Sequence, residues 1–349
     1  MKKILSIIIP AYNMEQYLQR CCDSLIVGDK RLADSLEVII VNDGSKDRTA
    51  EIARSIVSQN SGTFRLIDKQ NGNYGSCINA ALKEISGEYV KVLDADDTFD
   101  TASLEKYLLA LEGCNADVVF SNFNFVNPAG QVTRSAVSSL EAGLVKDVAT
   151  LPESACRDME MQNIAYRASC FANLGYRQTE GISYTDQEWM FLPMSQARTY
   201  QYVPVPLYRY LVGRDGQTID RDTYLRNRWM VVAITQKLLS LYSQLAGNEI
   251  APGAERYLRI RLMRRLEIAY HLALLEPKRY DRMQTIRDLD SSLSRNSPEL
   301  YGETARLSSG KPFNFKYVAC WRASKNDSPL KFRMYWLVCR FWRWIRRKG

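Results

Sequence analysis

Three carboxylates fall within four residues at Asp94-Ala95-Asp96-Asp97. Such a group repels itself unless a cation or solvent screens it. Hard divalent ions take oxygen ligands, usually one or two carboxylates completed by substrate phosphates. The cluster therefore reads as a seat for a divalent ion such as Mg²⁺ against a diphosphate, where the ion neutralises a leaving group. One acid, Asp97 or Asp100, suits the cap of a helix beginning near Thr101. Capping leaves Asp94 and Asp96 unexplained. Two further turns carry chemistry of their own. Pro10-Ala11-Tyr12-Asn13 offers a ring able to stack on a flat base. Asn42-Asp43-Gly44-Ser45 offers a carboxylate able to accept the N3–H of a uracil. Asp-Gly is also a common turn, and Asp47 before Arg48-Thr49 has the look of a helix start.

The elements that must hold these residues are legible in the hydrophobic pattern. Ile4–Ile9, Leu36–Val41, Phe64–Ile67, Tyr89–Leu93 and Asp117–Ser121 read as strands, the first two as continuous buried runs. Met14–Val27, Thr49–Val57, Ser76–Ile85 and Thr101–Leu111 read as helices between them. Strands alternating with helices predict an α/β fold, Rossmann-like, with a mostly parallel sheet. Ligands of such sheets bind beyond the carboxyl ends of the strands. The acidic cluster follows the fourth strand, and the two turns follow the first and second. Tyr202–Tyr210 contains two prolines and reads as an edge strand. After about residue 220 the pattern is helical, which divides the chain into 1–220 and 221–349.

The composition removes other classes. The 349 residues are 46% hydrophobic and 25% charged, an ordinary globular balance that excludes disorder and collagen. Eight scattered cysteines form no CxxC pair, so neither a zinc site nor a disulfide framework is expected. The one histidine, His271, excludes a Ser-His-Asp triad and a multi-His metal site. Any acid–base work falls to carboxylates. No apolar stretch reaches a membrane span, and a cytoplasmic location is expected.

Three segments in this order, Ser6 to Asn13, Val41 to Thr49 and Leu93 to Asp97, resemble the family 2 glycosyltransferases, which have the GT-A fold and use nucleotide-diphosphate sugars. The resemblance covers roughly residues 4–215. It implies that Tyr12 and Asp43 hold the base, with Pro10 in the same motif, that Asp94 lies near the ribose, and that Asp96 ligates Mn²⁺ or Mg²⁺. It also implies a catalytic base at Asp186, in Tyr184-Thr185-Asp186-Gln187-Glu188-Trp189, with Glu188 as the alternative and helix capping as the competing role. Asn79 is kept from the family pattern and joins the donor side. Asn73 stands where Gly is usual and Ile78 where Arg is usual, which leaves donor identity open. Arg214 is a diphosphate or acceptor contact, or a solvated loop residue. Leu225 stands where processive synthases carry Gln, so transfer of a single sugar is expected.

The implied function is inverting transfer of a sugar, UDP-linked by expectation, to a glycan or lipid-linked acceptor of a cell-surface polysaccharide. A sugar nucleotidyltransferase is less favoured, since no Gly-rich phosphate loop follows the first strand. A non-catalytic scaffold of the same fold is the remaining alternative. From Lys331 to Gly349 there are seven Lys or Arg and no acid. On a helix, Arg333, Arg340, Arg343 and Arg347 share a face opposite Tyr335, Phe341, Trp342 and Ile345. Residues 328–349 thus suit either an anionic membrane surface or docking on the helical domain. Nucleic acid is not an expected partner, because no binding module accompanies the basic patch.

Overall fold

The computed structural model describes residues 2–172, 174–214, 217, 221–245, 249–275, 283–309, 314–324 and 337. The expectations for segment 328–349 therefore fall, Leu337 apart, outside the described residues.

The β-branched runs form strands because both of their faces are covered. β1 (Leu5–Ala11) and β2 (Leu36–Asn42) are buried along nearly their whole length. β3 (Phe64–Asp68) and β4 (Tyr89–Val92) complete a parallel half-sheet in the order β3-β2-β1-β4. Registry pairs Leu5 with Leu36 on one side and with Tyr89 on the other. The turns after β1, β2 and β4 consequently open at one edge. Helices α1 (Leu18–Asp23), α2 (Lys30–Ser35), α3 (Thr49–Gln59) and α4 (Asn73–Ala81) connect these strands. Ile7, Ile9, Val38 and Ile40 share a core with Leu18, Cys21 and Cys22. Each such side chain contributes roughly 1.5–3 kcal/mol when fully buried.

The other half of the sheet is mixed. After β5 (Thr98–Phe99) and α5 (Thr101–Leu111) come β6 (Val118–Val126), β7 (Val132–Ala136) and β8 (Lys146–Asp147). Next are α6 (Glu153–Asp158), β9 (Ile164–Arg167), α7 (Ser169–Ala172), α8 (Asp186–Phe191) and β10 (Thr199–Leu211). The order continues β4-β9-β6-β10-β5, with β9 antiparallel to both of its neighbours. β10 corrects the edge-strand expectation. It pairs with β6 along its length, and with β8 and β5 near its two ends. Pro204 and Pro206 fall between those two short partners, where the β6 register also shifts, so no continuous ladder needs their missing N–H groups.

Chain contacts divide the molecule into Met1–Gln217 with Glu249–Leu258, and Thr218–Asn248 with Arg259–Gly349. The second unit is largely helical. Its elements come from α9 (Arg221–Arg226), α10 (Arg228–Leu245), α11 (Pro252–Leu274), α12 (Met283–Asn296), α13 (Pro298–Thr304) and α14 (Tyr317–Ser324). Ile286, Leu289 and Leu293 of α12 recur at helical spacing and are buried. Arg322 of α14 donates to Asp290 Oδ1 at 2.6 Å, to Thr304 Oγ1 at 2.9 Å and to the Tyr301 carbonyl at 2.8 Å. Its guanidinium also lies 3.6 Å from the Tyr301 ring centroid. Among the described residues no helix is long and apolar enough to cross a membrane.

Candidate functional site

The turn after β1 holds itself open by bonding to the turn after β2. Asn13 sits at φ +54°, and its side-chain oxygen accepts from Lys46 N at 2.9 Å. Met14 N donates to Thr49 Oγ1 at 2.6 Å, and Glu15 N to Asp47 Oδ2 at 3.1 Å. Helix α1, expected over Met14–Val27, runs only from Leu18 to Asp23, and these bonds tie residues 13–15 to the turn after β2. Tyr12, next to them, is 43% exposed and available for stacking. Pro10 occupies the penultimate position of β1, in register with Val41. Asp47 also accepts from Thr49 N at 3.0 Å, consistent with a helix start.

Asp43 is buried at the end of β2. Its Oδ1 accepts from Lys69 Nζ at 2.7 Å and Gly72 N at 3.0 Å. Among the described residues its side-chain hydrogen bonds fall on Oδ1. Gly44 turns the chain at φ +69°, where a Cβ would stand 3.0 Å from Asn71 N. Lys69 escaped the sequence reading. The third strand is expected to end at Ile67, whereas β3 runs to Asp68 and puts Lys69 just past its end.

The three acids after β4 have three environments. Asp96 Oδ2 accepts from Arg214 Nε at 2.5 Å, and its carbonyl accepts from Arg20 at 3.0 Å. Asp94 Oδ1 accepts from the Tyr74 hydroxyl at 3.0 Å. Burial lifts the Asp94 carboxyl to about 7, the charges of Asp96 and then Asp186 add to this, and Tyr74 and Arg214 oppose it. Asp97 points away from both. Its Oδ2 accepts from Tyr208 at 2.6 Å and its Oδ1 from Leu211 N at 2.7 Å, so it clamps the end of β10. Of the two acids expected to suit the cap of the next helix, Asp97 is not the one. Asp100 is the cap of α5 and accepts from Ser103 N at 2.9 Å.

Arg214 follows β10, and the Gln217 side chain donates to Leu211 O at 2.7 Å and accepts from Gly213 N at 2.9 Å. The guanidinium pairs with Asp96 and lies 5.2 Å from the Tyr17 ring centroid. An open cavity of about 630 Å³ adjoins it, lined in part by Asn13, Tyr17, Arg20, Leu211 and Arg214.

Asp186 comes from a segment about ninety residues beyond the acidic cluster, yet its charge reaches Asp94, Tyr74 and Tyr210. It is the first residue of α8 and lies one turn from Trp189. Trp189 is fully buried among Tyr166, Phe171 and Tyr176, which anchors the helix. Tyr184, two residues before Asp186, has φ +66°, an uncommon backbone for an aromatic residue. Glu188 is buried and accepts from Thr179 N at 2.8 Å and Thr179 Oγ1 at 3.1 Å. Those bonds give the runner-up carboxylate a structural task. Thr185 does not cap α8; it accepts from Gln178 Nε2 at 3.0 Å.

Helix α4 shows why the family pattern departs there. Asn73 stands at φ +66°, a conformation that Asn tolerates as Gly does. Ile78 is fully buried, so no guanidinium is offered from that position. Asn79, expected on the donor side, has both ends of its amide engaged elsewhere. It accepts from Gln178 N at 2.8 Å, and donates to Gln178 O at 2.8 Å and Glu180 Oε1 at 2.9 Å. Tyr74 and Tyr208 were missed by sequence, since tyrosines at helical or strand spacing look like core.

Among the described residues no three His, Cys, Asp or Glu side chains gather as a metal shell. The donor chemistry nevertheless fits a hard divalent ion. Asp94 and Asp96 supply oxygen only, and such ions are commonly held by two carboxylates plus substrate phosphates. Arg214 already offsets one of these two charges, and the Asp94 carboxyl is raised by burial first and by the Asp96 charge second.

Residues 6–174 match the Glycosyl transferase family 2 pattern. Chondroitin synthase of Pasteurella multocida strain Pm70 is 29% identical over 66% of this chain, and hyaluronan synthase of P. multocida is 28% identical over 66%. The matched regions are 23% and 22% of those two proteins, so the chain spans about a quarter of their length. Among solved structures, S. aureus TarS 1–349 in complex with UDP-GlcNAc aligns with TM-score 0.63 at 18% identity, covering 85% of this chain and 82% of that one. The mannosyltransferase PcManGT of Pyrobaculum calidifontis, in complex with GDP-Man and Mn²⁺, aligns with TM-score 0.50 at 13% identity, covering 97% and 84%. The structural likenesses show a shared fold. Residues 6–174 thus carry the pattern of glycosyl transferase family 2 on a GT-A-like fold, with similarity to bacterial polysaccharide-synthesising enzymes.

Proposed function

We propose that the protein transfers a sugar from a nucleotide-diphosphate donor, UDP-linked, to a hydroxyl of a glycan or lipid-linked acceptor, with inversion. The observation that carries this reading is the placement of Asp43, Asp94 and Asp96 just past the carboxyl ends of β2 and β4, with Arg214 on Asp96 and with the charge of Asp186 near enough to act on Asp94. It joins a donor-side carboxylate to a base from a remote segment, as a single displacement requires. Tyr12 stacks on the base and Asp43 accepts from it. Asp96, with Asp94 beside it, would hold Mn²⁺ or Mg²⁺. When bound, that ion neutralises charge on the departing diphosphate. Arg214 lies at Asp96 and supplies a second positive group to the same phosphates. Asp186 accepts the proton of the attacking hydroxyl, whose oxygen bonds to the anomeric carbon as the nucleotide diphosphate leaves. The lipid-linked acceptor class rests on residues 328–349, whose Arg and aromatic faces suit an anionic membrane surface.

Release of UDP from UDP-N-acetylglucosamine and UDP-glucose, with and without Mn²⁺, tests the reaction. The wild type is expected to release UDP from at least one of them, faster with Mn²⁺. Asp186→Asn is expected to lower turnover ~10²-fold or more while UDP binding, measured by calorimetry, is kept. Near-normal turnover of the variant would reject Asp186 as the base.

A further inference from the structure

Helix α4 touches both halves of the proposed site. Tyr74, in its first turn, donates to Asp94 Oδ1 at 3.0 Å. Gly72, Gly75 and Asn79 lie three and four residues apart, at or just before the start of α4 and along it, and so share a face. That face carries the segment leading to α8. Gly181 N donates to Gly72 O at 2.9 Å. A Cβ on Gly75 would stand 2.0 Å from the Thr179 carbonyl oxygen, so only glycine lets the two backbones approach this closely. Asn79 pairs with the Gln178 backbone in both directions.

The frame continues into α8 on both sides of the base. Gln178 Nε2 donates to Thr185 Oγ1, and Thr179 donates twice to Glu188. Thr185 precedes Asp186, and Glu188 follows it by two. We propose that α4 is the spacer that fixes the separation between the donor-side carboxylate Asp94 and the base Asp186. Tyr74 is the positioning residue on the donor side; Gly75 and Asn79 are the positioning residues on the base side. Asn79 therefore acts on catalysis through Asp186 rather than by touching the donor. The demand is physical, since a misplacement of ~1 Å in a reacting pair costs ~10²-fold in rate. This inference rests on the reading of Asp186 as the base.

The test uses the full chain, UDP with Mn²⁺ as the binding probe, and UDP release from whichever of UDP-N-acetylglucosamine and UDP-glucose the wild type hydrolyses faster. Asn79→Ala is expected to lower kcat ~10–100-fold with the Kd for UDP within about twofold. Asn79→Ser keeps a small group able to make one of these bonds without adding charge beside Glu180, so it should give a smaller loss. It also serves as the variant to measure if Asn79→Ala does not fold. Tyr74→Phe is expected to do the opposite, weakening donor binding by ~10-fold with the smaller effect on kcat. In an Asp186→Asn background, Asn79→Ala should cost less than about a further twofold. A full second loss there, or unchanged kcat in both Asn79 variants, overturns the spacer while leaving Asp186 as the base. Unchanged kcat in Asp186→Asn alone overturns the base assignment instead.

Discussion

Lys91 lies on β4 with no solvent exposure, and Nζ donates to the carbonyls of Gln162 at 2.8 Å and Ile164 at 3.1 Å. A neutral amine has two hydrogens, which matches two carbonyls. Burial pushes this group down to about 7. Between that value and its ordinary one the unfolded chain binds the extra proton, so stability rises with pH. The contribution is complete above about 10.5 and is lost as pH falls through about 7. Urea unfolding at pH 6.5 and 9.5 should therefore show wild type gaining on Lys91→Met at the higher pH. An equal gap at both pH values would contradict the neutral lysine. Asp94 and Asp97, three positions apart, make the companion point. Identical side chains on one turn take separate tasks because one meets Tyr74 and the other meets β10.

At the scale of elements, the site is a junction of β4 with three later segments. Tyr208 of β10 accepts from Asp94 N at 3.2 Å and donates to Asp97. Leu211 N completes the clamp, and three residues later the chain delivers Arg214 to Asp96. β10 thus brings a guanidinium to the acidic loop by being pinned at the residues before it. Tyr208→Phe removes both hydroxyl bonds from a buried position. It is expected to destabilise the protein by about 2 kcal/mol, read from the urea midpoint with its slope unchanged. A loss below about 0.5 kcal/mol, the range of an ordinary surface change, would show that the clamp does not hold the loop. The β10 prolines misled the sequence reading for a definable reason. Proline forbids only the ladder bonds its own nitrogen would make, and here the outer flank is paired near its ends and not between them.

For the whole molecule, the proposed acceptor class depends on residues 328–349. Each basic residue near an anionic leaflet contributes ~1 kcal/mol, and seven lie in this stretch without an acid. The full chain should sediment with liposomes containing anionic lipid and release as salt rises, because screening shortens the reach of surface charge. A chain lacking 328–349 should stay in the supernatant. Equal partition of the two would remove the membrane from the proposal.

The sequence by itself determined the half-sheet and its open edge. Continuous β-branched runs can be satisfied only as strands covered on both faces, and turn residues must then fall at their ends. Tyr12, Asp43, Asp94 and Asp96 were legible for that reason, since each lies just past a strand. The segment around Asp186 carried only a short local motif, and what it faces depends on a chain path that periodicity does not encode. Tertiary structure decided the separate partners of the acids, the pairing of Arg214 with Asp96, and the contacts of α4 with Asp94 and with Gln178. These are set by contacts between residues 20 to 118 positions apart. The acidic cluster announced a charge that needed a partner; only the fold chose which partner each carboxylate received.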